Sequence, residues 1–543
     1  MMNGTKIAEL TKRGMRRIIF LTILLMFAQV ATEATDTPKT ANPYGGTLIW
    51  GTYTKPTIIN PLLTRASVSA AMVQLIFNGL VRISSKGEIE PDLAKSWDIS
   101  SDGLVYTFYL RKGVKFHDGR ECTADDVKFT YAKILEPEVN SPFKPFFALV
   151  DKFEAIDKYT FKVVLKEPSV PFLYRMVRYI IPKHILEDKD LKTCFFNLHP
   201  VGTGPFQFKE WTKEDQIILE YNPDYYEGRP YLDKIMVKAY SDSKDLWTAL
   251  MRGEVDLVGF IEREDYQVLK NDPAFKAYTF PFDYYYALLY NTNNPILADK
   301  KIREAIAYGI DRKSLIERVA SGYGLECNGP FYPESLGFNP LVKSFEYNPQ
   351  KAQALLTEAG WQDKDNDGIL EKEEEKLELK VLVDTRKDIL KRIAMVIRQQ
   401  LQEIGIKIKV ILYNDDNMLT DKEFLRQNKP QAYLKFPLAG IDPDQEVEDW
   451  CSKVSEQMGK LWSYSNEEID RLFELGKVTP DRKKREEIYQ KIHQIIYADQ
   501  PACFLYFPFV FHAVAKKFEH TDEFFTVNMP IYTLKDWYLN SPQ

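Results

Sequence analysis

Residues 77–131 read FNGLVRISSKGEIEPDLAKSWDISSDGLVYTFYLRKGVKFHDGRECTADDVKFTY, and the fold turns on how this stretch is read. Val105, Thr107 and Tyr109 alternate with Tyr106, Phe108 and Leu110, which sends successive side chains to opposite faces of a strand. Asp102-Gly103 and Asp118-Gly119 supply the left-handed backbone positions that reverse such strands. Thr123, with Asp126 three residues on, has the pattern of a capping box and predicts a helix starting at Ala124. The stretch is a run of short strands and tight turns that launches a helix.

The same residues carry a family resemblance. GLVR, PDLA, SW, DG, YTF, LR, GVKFHDG and TADDV follow in the order and spacing of a segment shared by family-5 extracytoplasmic solute-binding proteins, the peptide/nickel class that serves ABC importers. A second match follows over residues 201–233, VGTGPFQFKEWTKEDQIILEYNPDYYEGRPYLD, and a third at NPQKAQALLTEAGW from Asn348 to Trp361. In that family the opening stretch is scaffold, and the ligand-selecting residues lie elsewhere.

The resemblance implies an α/β, periplasmic-binding-protein-like fold of two lobes with mixed sheets, a hinge, and an extra small domain in the N-terminal lobe. Laid on this chain, it places lobe 1 at 45–80 and 190–285, the small domain at 81–189, lobe 2 at 286–504, and a segment returning to lobe 1 at 505–543. The implied function is a receptor that captures a small solute, oligopeptide first, and delivers it to a permease. An oligosaccharide or other neutral solute is the alternative, as is a sensory module without transport.

Composition agrees with a protein of this size class. The chain has 543 residues, room for two to four domains of about 100–200 residues each. The net charge of −6 comes from interleaved signs, with no basic face for nucleic acid. Lys12, Arg13, Arg16 and Arg17 precede an apolar run from Ile18 to Val30, followed by small residues. That order reads as a cleaved secretory signal over 1–34, with a polar linker at 35–44, and predicts a periplasmic, soluble monomer. No cysteine follows the apolar run, which argues against a lipid anchor. The five cysteines (122, 194, 327, 451 and 503) show no CxxC spacing, which argues against a metal cluster.

Catalytic patterns are missing. The sequence has no GxSxG, no HExxH and no phosphate-binding loop, because Gly202-Thr203-Gly204 leads into strands rather than a lysine-bearing helix. The expectation is a binding protein that requires no cofactor. One local motif does stand out. Asp363, Asp365 and Asp367, Gly368, the Ile369 carbonyl and Glu374 match the spacing of a calcium loop, and would place a structural Ca2+ far from the solute. The same residues suit an Asx-stabilised turn, and spacing alone leaves both readings open.

The ligand cleft is harder to read. In peptide-binding relatives, a Trp followed three residues later by an Asp supplies the carboxylate for the peptide amine. Aligning Asp442-Pro443-Asp444 with the family's DPD puts Phe436 at the Trp position and Ala439 at the carboxylate position. An alanine cannot balance a desolvated ammonium. Either Asp442 or Asp444 takes over, or the ligand carries no free amine there. Tyr53, Tyr284, Tyr285, Phe436 and Trp450 are candidate aromatic platforms, with core packing the competing role for each. Asn291 is a candidate hydrogen-bonding contact or a turn cap.

Overall fold

A computed structural model describes residues 43–64, 67–440, 442–444, 449–452 and 462–540. The expected signal segment therefore lies outside the described residues, as does nearly all of the linker.

One long mixed sheet runs through the molecule, and one strand holds it together. Strand Thr47–Thr52 pairs in parallel with Lys234–Ala239 and with Leu257–Val258; Gln216–Tyr221 and Phe206–Trp211 extend that side antiparallel. At the other end, Glu378–Asp384 lies parallel to Lys407–Tyr413 and to Ala432–Lys435, and Tyr286–Tyr290 completes the set. The strand Ala502–Ala515 spans both. Its first half pairs with Tyr286–Tyr290 and Gly324–Glu326, and its second half with Phe275–Pro281 and Leu257–Val258.

The apolar cores divide where that strand passes Pro508. Ala502 to Phe507 pack into cores built from residues 285 to 505, whereas Ala513 and Val514 pack with the N-terminal elements. Two bodies with separate cores, joined by two strand crossings, make a two-lobed molecule. A run as apolar as ACFLYFPFVFHAVA is what a strand covered on both faces requires. The lobe boundary falls inside this strand, so no turn or linker marks it in the sequence.

The opening stretch forms a separate antiparallel sheet in the order Ala94–Ile99, Val105–Leu110, Thr160–Leu165, Val150–Asp157. Tyr106, Phe108 and Leu110 face inward, as their alternation predicts. Thr123 and Asp126 form the capping box at the head of helix Ala124–Leu135. Tyr131 on that helix packs among Phe147, Phe153 and Phe161. This sheet shares its core with lobe 1.

Helix Ser67–Ile76 ends shortly before Gly79, which bridges to Tyr179. The reason is close packing. A Cβ on Gly202 would lie 2.0 Å from the Ile76 carbonyl oxygen, and one on Gly204 would lie 2.4 Å from that of Leu75. Gly204 N–H donates to the Ile76 carbonyl at 2.8 Å. The glycines of GTGP let two backbones touch, and the segment that receives them ends the helix. Cys122, Cys194, Cys327 and Cys503 are free thiols.

The lobes meet along one side of the molecule. Val170 N–H, beside the small sheet, donates to the Lys477 carbonyl in lobe 2 at 2.7 Å. Arg482 and Glu88 stand 3.5 Å apart across the same gap.

Candidate ligand cleft

Between strands Phe275–Pro281 and Tyr286–Tyr290 the chain passes from lobe 1 to lobe 2 through Phe282-Asp283-Tyr284-Tyr285. Pro281 and Pro508 lack an N–H, so the sheet ladder loosens here while Phe282 N–H holds the Pro508 carbonyl at 2.8 Å. The segment from Phe436 to Gly440 docks on this crossing. Ala439 N–H donates to the Asp283 carbonyl at 2.6 Å, and Tyr285 N–H to that of Pro437 at 3.1 Å.

A cavity of about 260 Å³ opens against the crossing, with walls from both lobes. Lobe 2 contributes Tyr332, Glu334, Ser335, Ala439 and Gly440; the lobe 1 side contributes Lys86, Val527 and Asn528, with Asp283 between. Tyr332 is fixed by its hydroxyl, which donates to the Pro281 carbonyl at 3.0 Å. A neighbouring cavity of about 500 Å³ shares Lys86 and Glu334 and adds Asp522, Glu523 and Thr526. Burial raises the Asp283 carboxyl above its ordinary range. Ser335 Oγ, Asn528 Oδ1 and Thr526 Oγ1 are shielded from solvent without a hydrogen-bond partner.

The residues expected in the cleft distribute unevenly. Tyr53 lines a different space of about 20 Å³ inside lobe 1, with Trp247 and Phe260. Tyr284 is half-buried, with its ring edge-on to Phe436 and Tyr286, each at 5.6 Å. Phe436 keeps 36 % of its surface exposed. Tyr285 and Trp450 are buried and pack on Phe504 at 5.7 and 5.5 Å, so both serve the lobe 2 core. Asn291 caps a turn: its Oδ1 accepts from Asn293 N–H at 3.1 Å and from Ser463 Oγ at 2.8 Å.

Asp442 and Asp444, the expected substitutes for the anchor carboxylate, face Arg485 in this arrangement. Both are buried, and both bind the Arg485 guanidinium, Asp442 at 2.7 Å. Tyr489 hydroxyl also donates to Asp444. Burial, with Asp442 alongside, raises the Asp444 carboxyl, while the same two acids hold Arg485 firmly protonated. The two acids share one cation, and Asp442 Oδ2 is buried without a hydrogen-bond partner.

The acidic loop shows a similar saturation. Oxygens of Asp363, Asp365 and Asp367 lie within 4.8 Å of one another. Lys376 Nζ reaches both Asp365, at 2.8 Å, and Asp367. Asp367 N–H donates to Asp365 at 3.3 Å and Ile369 N–H to Asp367 at 3.0 Å, the bonding of Asx turns, while Gly368 N–H donates across the loop to Asp363 at 3.0 Å. Glu374 stands apart, at the tip of the hairpin joining Glu371–Lys372 to Glu375–Lys376, with φ of +69°. An EF-hand instead continues into a second helix that brings its twelfth residue back. The intervening hairpin was not foreseen from the sequence.

Asp283, Ser335 and Asn528 are the cleft residues that the sequence reading missed. A signal existed for the first: one acid in the crossing FPFDYYYALLY, where every neighbour is apolar or aromatic.

Comparison with known proteins places this geometry in context. The model of bacterial extracellular solute-binding proteins, family 5 (middle region), matches residues 88–454. The oligopeptide-binding protein AppA of Bacillus subtilis is 30 % identical, over 97 % of this chain and 99 % of its own. Its structure with a nonapeptide superposes with a TM-score of 0.68 at 31 % identity, covering 92 % of this chain and 99 % of that one. The ABC transporter substrate-binding protein CtaP of Listeria monocytogenes superposes with a TM-score of 0.78 at 28 % identity, covering 92 % of this chain and all of that one. With a family match over more than half its length and a near full-length relative, the chain belongs to the bacterial extracellular solute-binding proteins of family 5.

Proposed function

We propose that the protein captures an oligopeptide in the crossover cavity and hands it to the permease of an ABC importer. The observation that carries this is the lining of that cavity, drawn from both lobes around two strand crossings. A solute held there touches both lobes at once only when they are closed, so binding shifts the population toward the closed form. The two cavities together fall in the range of roughly 300–1,000 Å³ that encloses drug-sized ligands. AppA, the relative aligned along almost the whole chain, is named for oligopeptides, which supports peptide over sugar. The charged N-terminal segment with its apolar run supports export and action outside the cytoplasm.

Nothing in this reading asks the protein to make or break a covalent bond, and ATP hydrolysis belongs to separate subunits. The Asp363 loop is read as a structural turn that Lys376 neutralises, with no calcium needed to hold its shape. Native mass spectrometry of the purified protein, followed by sequencing of what denaturation releases, tests the main reading. A mixture of short peptides is expected; a recovered oligosaccharide, or a solute chemically altered on standing, would overturn it.

A further inference from the structure

We propose that Asp283 is the charge partner of a primary ammonium on the bound solute, and so does the work that Ala439 cannot. This rests on the cavity being the ligand site. The residue sits in the crossing itself, half-buried, with its backbone carbonyl bonded to Ala439 N–H, and it lines the cavity. Among the described residues no cation pairs with it and no other side chain hydrogen-bonds to it. Desolvation dominates its electrostatics, with no charged neighbour strong enough to offset it. A half-buried carboxylate without a partner carries a partial desolvation cost that an incoming cation offsets.

The surroundings favour the same sign. Glu334 lines the cavity, and Asp522 and Glu523 line its neighbour, against Lys86 alone. Ser335 and Asn528 also line this space, and each holds a shielded oxygen without a hydrogen-bond partner that can accept. An ammonium carries three donors and no acceptor, which suits a carboxylate in a wall made mostly of acidic and neutral polar residues. A guanidinium is a poorer fit, because its fixed planar fork favours bidentate pairing.

The ammonium can come from a peptide N-terminus or a lysine side chain, and peptide chemistry separates them. Affinities are measured by calorimetry for wild type, Asp283→Asn and Asp283→Glu against a lysine-free peptide with a free N-terminus, its N-acetylated form, and an acetylated peptide containing one lysine. Wild type should lose roughly 10- to 100-fold on acetylation if the N-terminus is bound, or regain that factor with lysine if the side chain is. Asp283→Asn should weaken the preferred peptide by a similar factor and become indifferent to its ammonium, while Asp283→Glu restores part of the preference. An acetylation penalty that persists in full in Asp283→Asn, or unchanged affinity in that variant, overturns the proposal.

If no peptide binds wild type, the peptide reading fails by itself. Butylammonium and butanol then decide the role of Asp283 by saturation-transfer NMR. A signal from the ammonium that wild type gives and Asp283→Asn lacks supports it, and equal signals refute it.

Discussion

Two groups of carboxylates lie close to the crossing between lobes, and their circumstances are opposite. Asp442 and Asp444 share a buried arginine, and Asp444 also accepts from the Tyr489 hydroxyl, with Arg485, Asp442 and Asp444 side chains only 6 %, 3 % and 10 % exposed. Asp283 has a cavity in front of it and no cation. Sequence patterns single out the first group, since DPD is a recognisable motif and a lone acid in an aromatic run is not. Physical chemistry reverses the ranking. A buried acid that already holds its counter-charge maintains the fold; one that lacks it is ready for a ligand.

The largest expected effect comes from breaking the satisfied cluster. Arg485→Met leaves two carboxylates buried without a cation, and should cost about 3–5 kcal/mol in denaturant unfolding. Protein that remains folded in the cold should still prefer ammonium-bearing peptide over its acetylated form. Loss of that preference with little loss of stability would make the cluster part of the ligand site. Asp283→Asn should do the reverse. Binding should weaken by about 1.5–3 kcal/mol, the range for hydrogen bonds to charged groups. Ligand-free stability should stay within about 1 kcal/mol of wild type, on the favourable side, because an unpaired charge has left a desolvated position.

Acidity sharpens the contrast further. Burial raises the Asp283 carboxyl, so in the folded, ligand-free protein it takes up a proton at higher pH than an ordinary aspartate. Its ionisation therefore costs the ligand-free fold some stability at neutral pH, a cost relieved as pH falls through the folded pKa. The ionised form is the one that binds an ammonium. Peptide affinity should be level near neutrality and drop on acidification, starting above about pH 4, where a free aspartate titrates. Glu334 and Lys86 face the same cavity, and the same titration on Asp283→Asn subtracts whatever they contribute. A pH profile that the substitution leaves unchanged would remove Asp283 from the site.

Much of the fold was legible because its signals are local. The alternation at Val105–Leu110 and the capping box at Thr123 each need only a few consecutive residues. The cleft was less legible because it is assembled from five separated parts of the chain. Asp283 and Ala439 meet through a backbone hydrogen bond between residues 156 positions apart. Tyr285 and Trp450 show the converse difficulty: large aromatic rings suit a ligand platform or a core equally, and only burial against Phe504 separates the two roles. The hairpin at Glu371–Lys376 escaped notice because its strands are two residues long and carry no apolar alternation.

The smallest expected effect tests the same rule at the surface. Asp363, Asp365 and Asp367 are exposed, and Lys376 already supplies positive charge to two of them. If a carboxylate that holds a cation does not call for another, wild type should show almost no change in melting temperature at about 1 mM Ca2+, a concentration that fills extracellular calcium modules. Lys376→Met leaves the three aspartates repelling one another, and calcium should then recover about 1 °C through binding to the folded form alone. The ammonium in wild type and the metal in the variant occupy the same electrostatic role, so the two cannot both be strong. A calcium response in wild type as large as that of Lys376→Met would show that Lys376 does not compete for these oxygens. The inference drawn from paired and unpaired acids at the crossing would lose its simplest control.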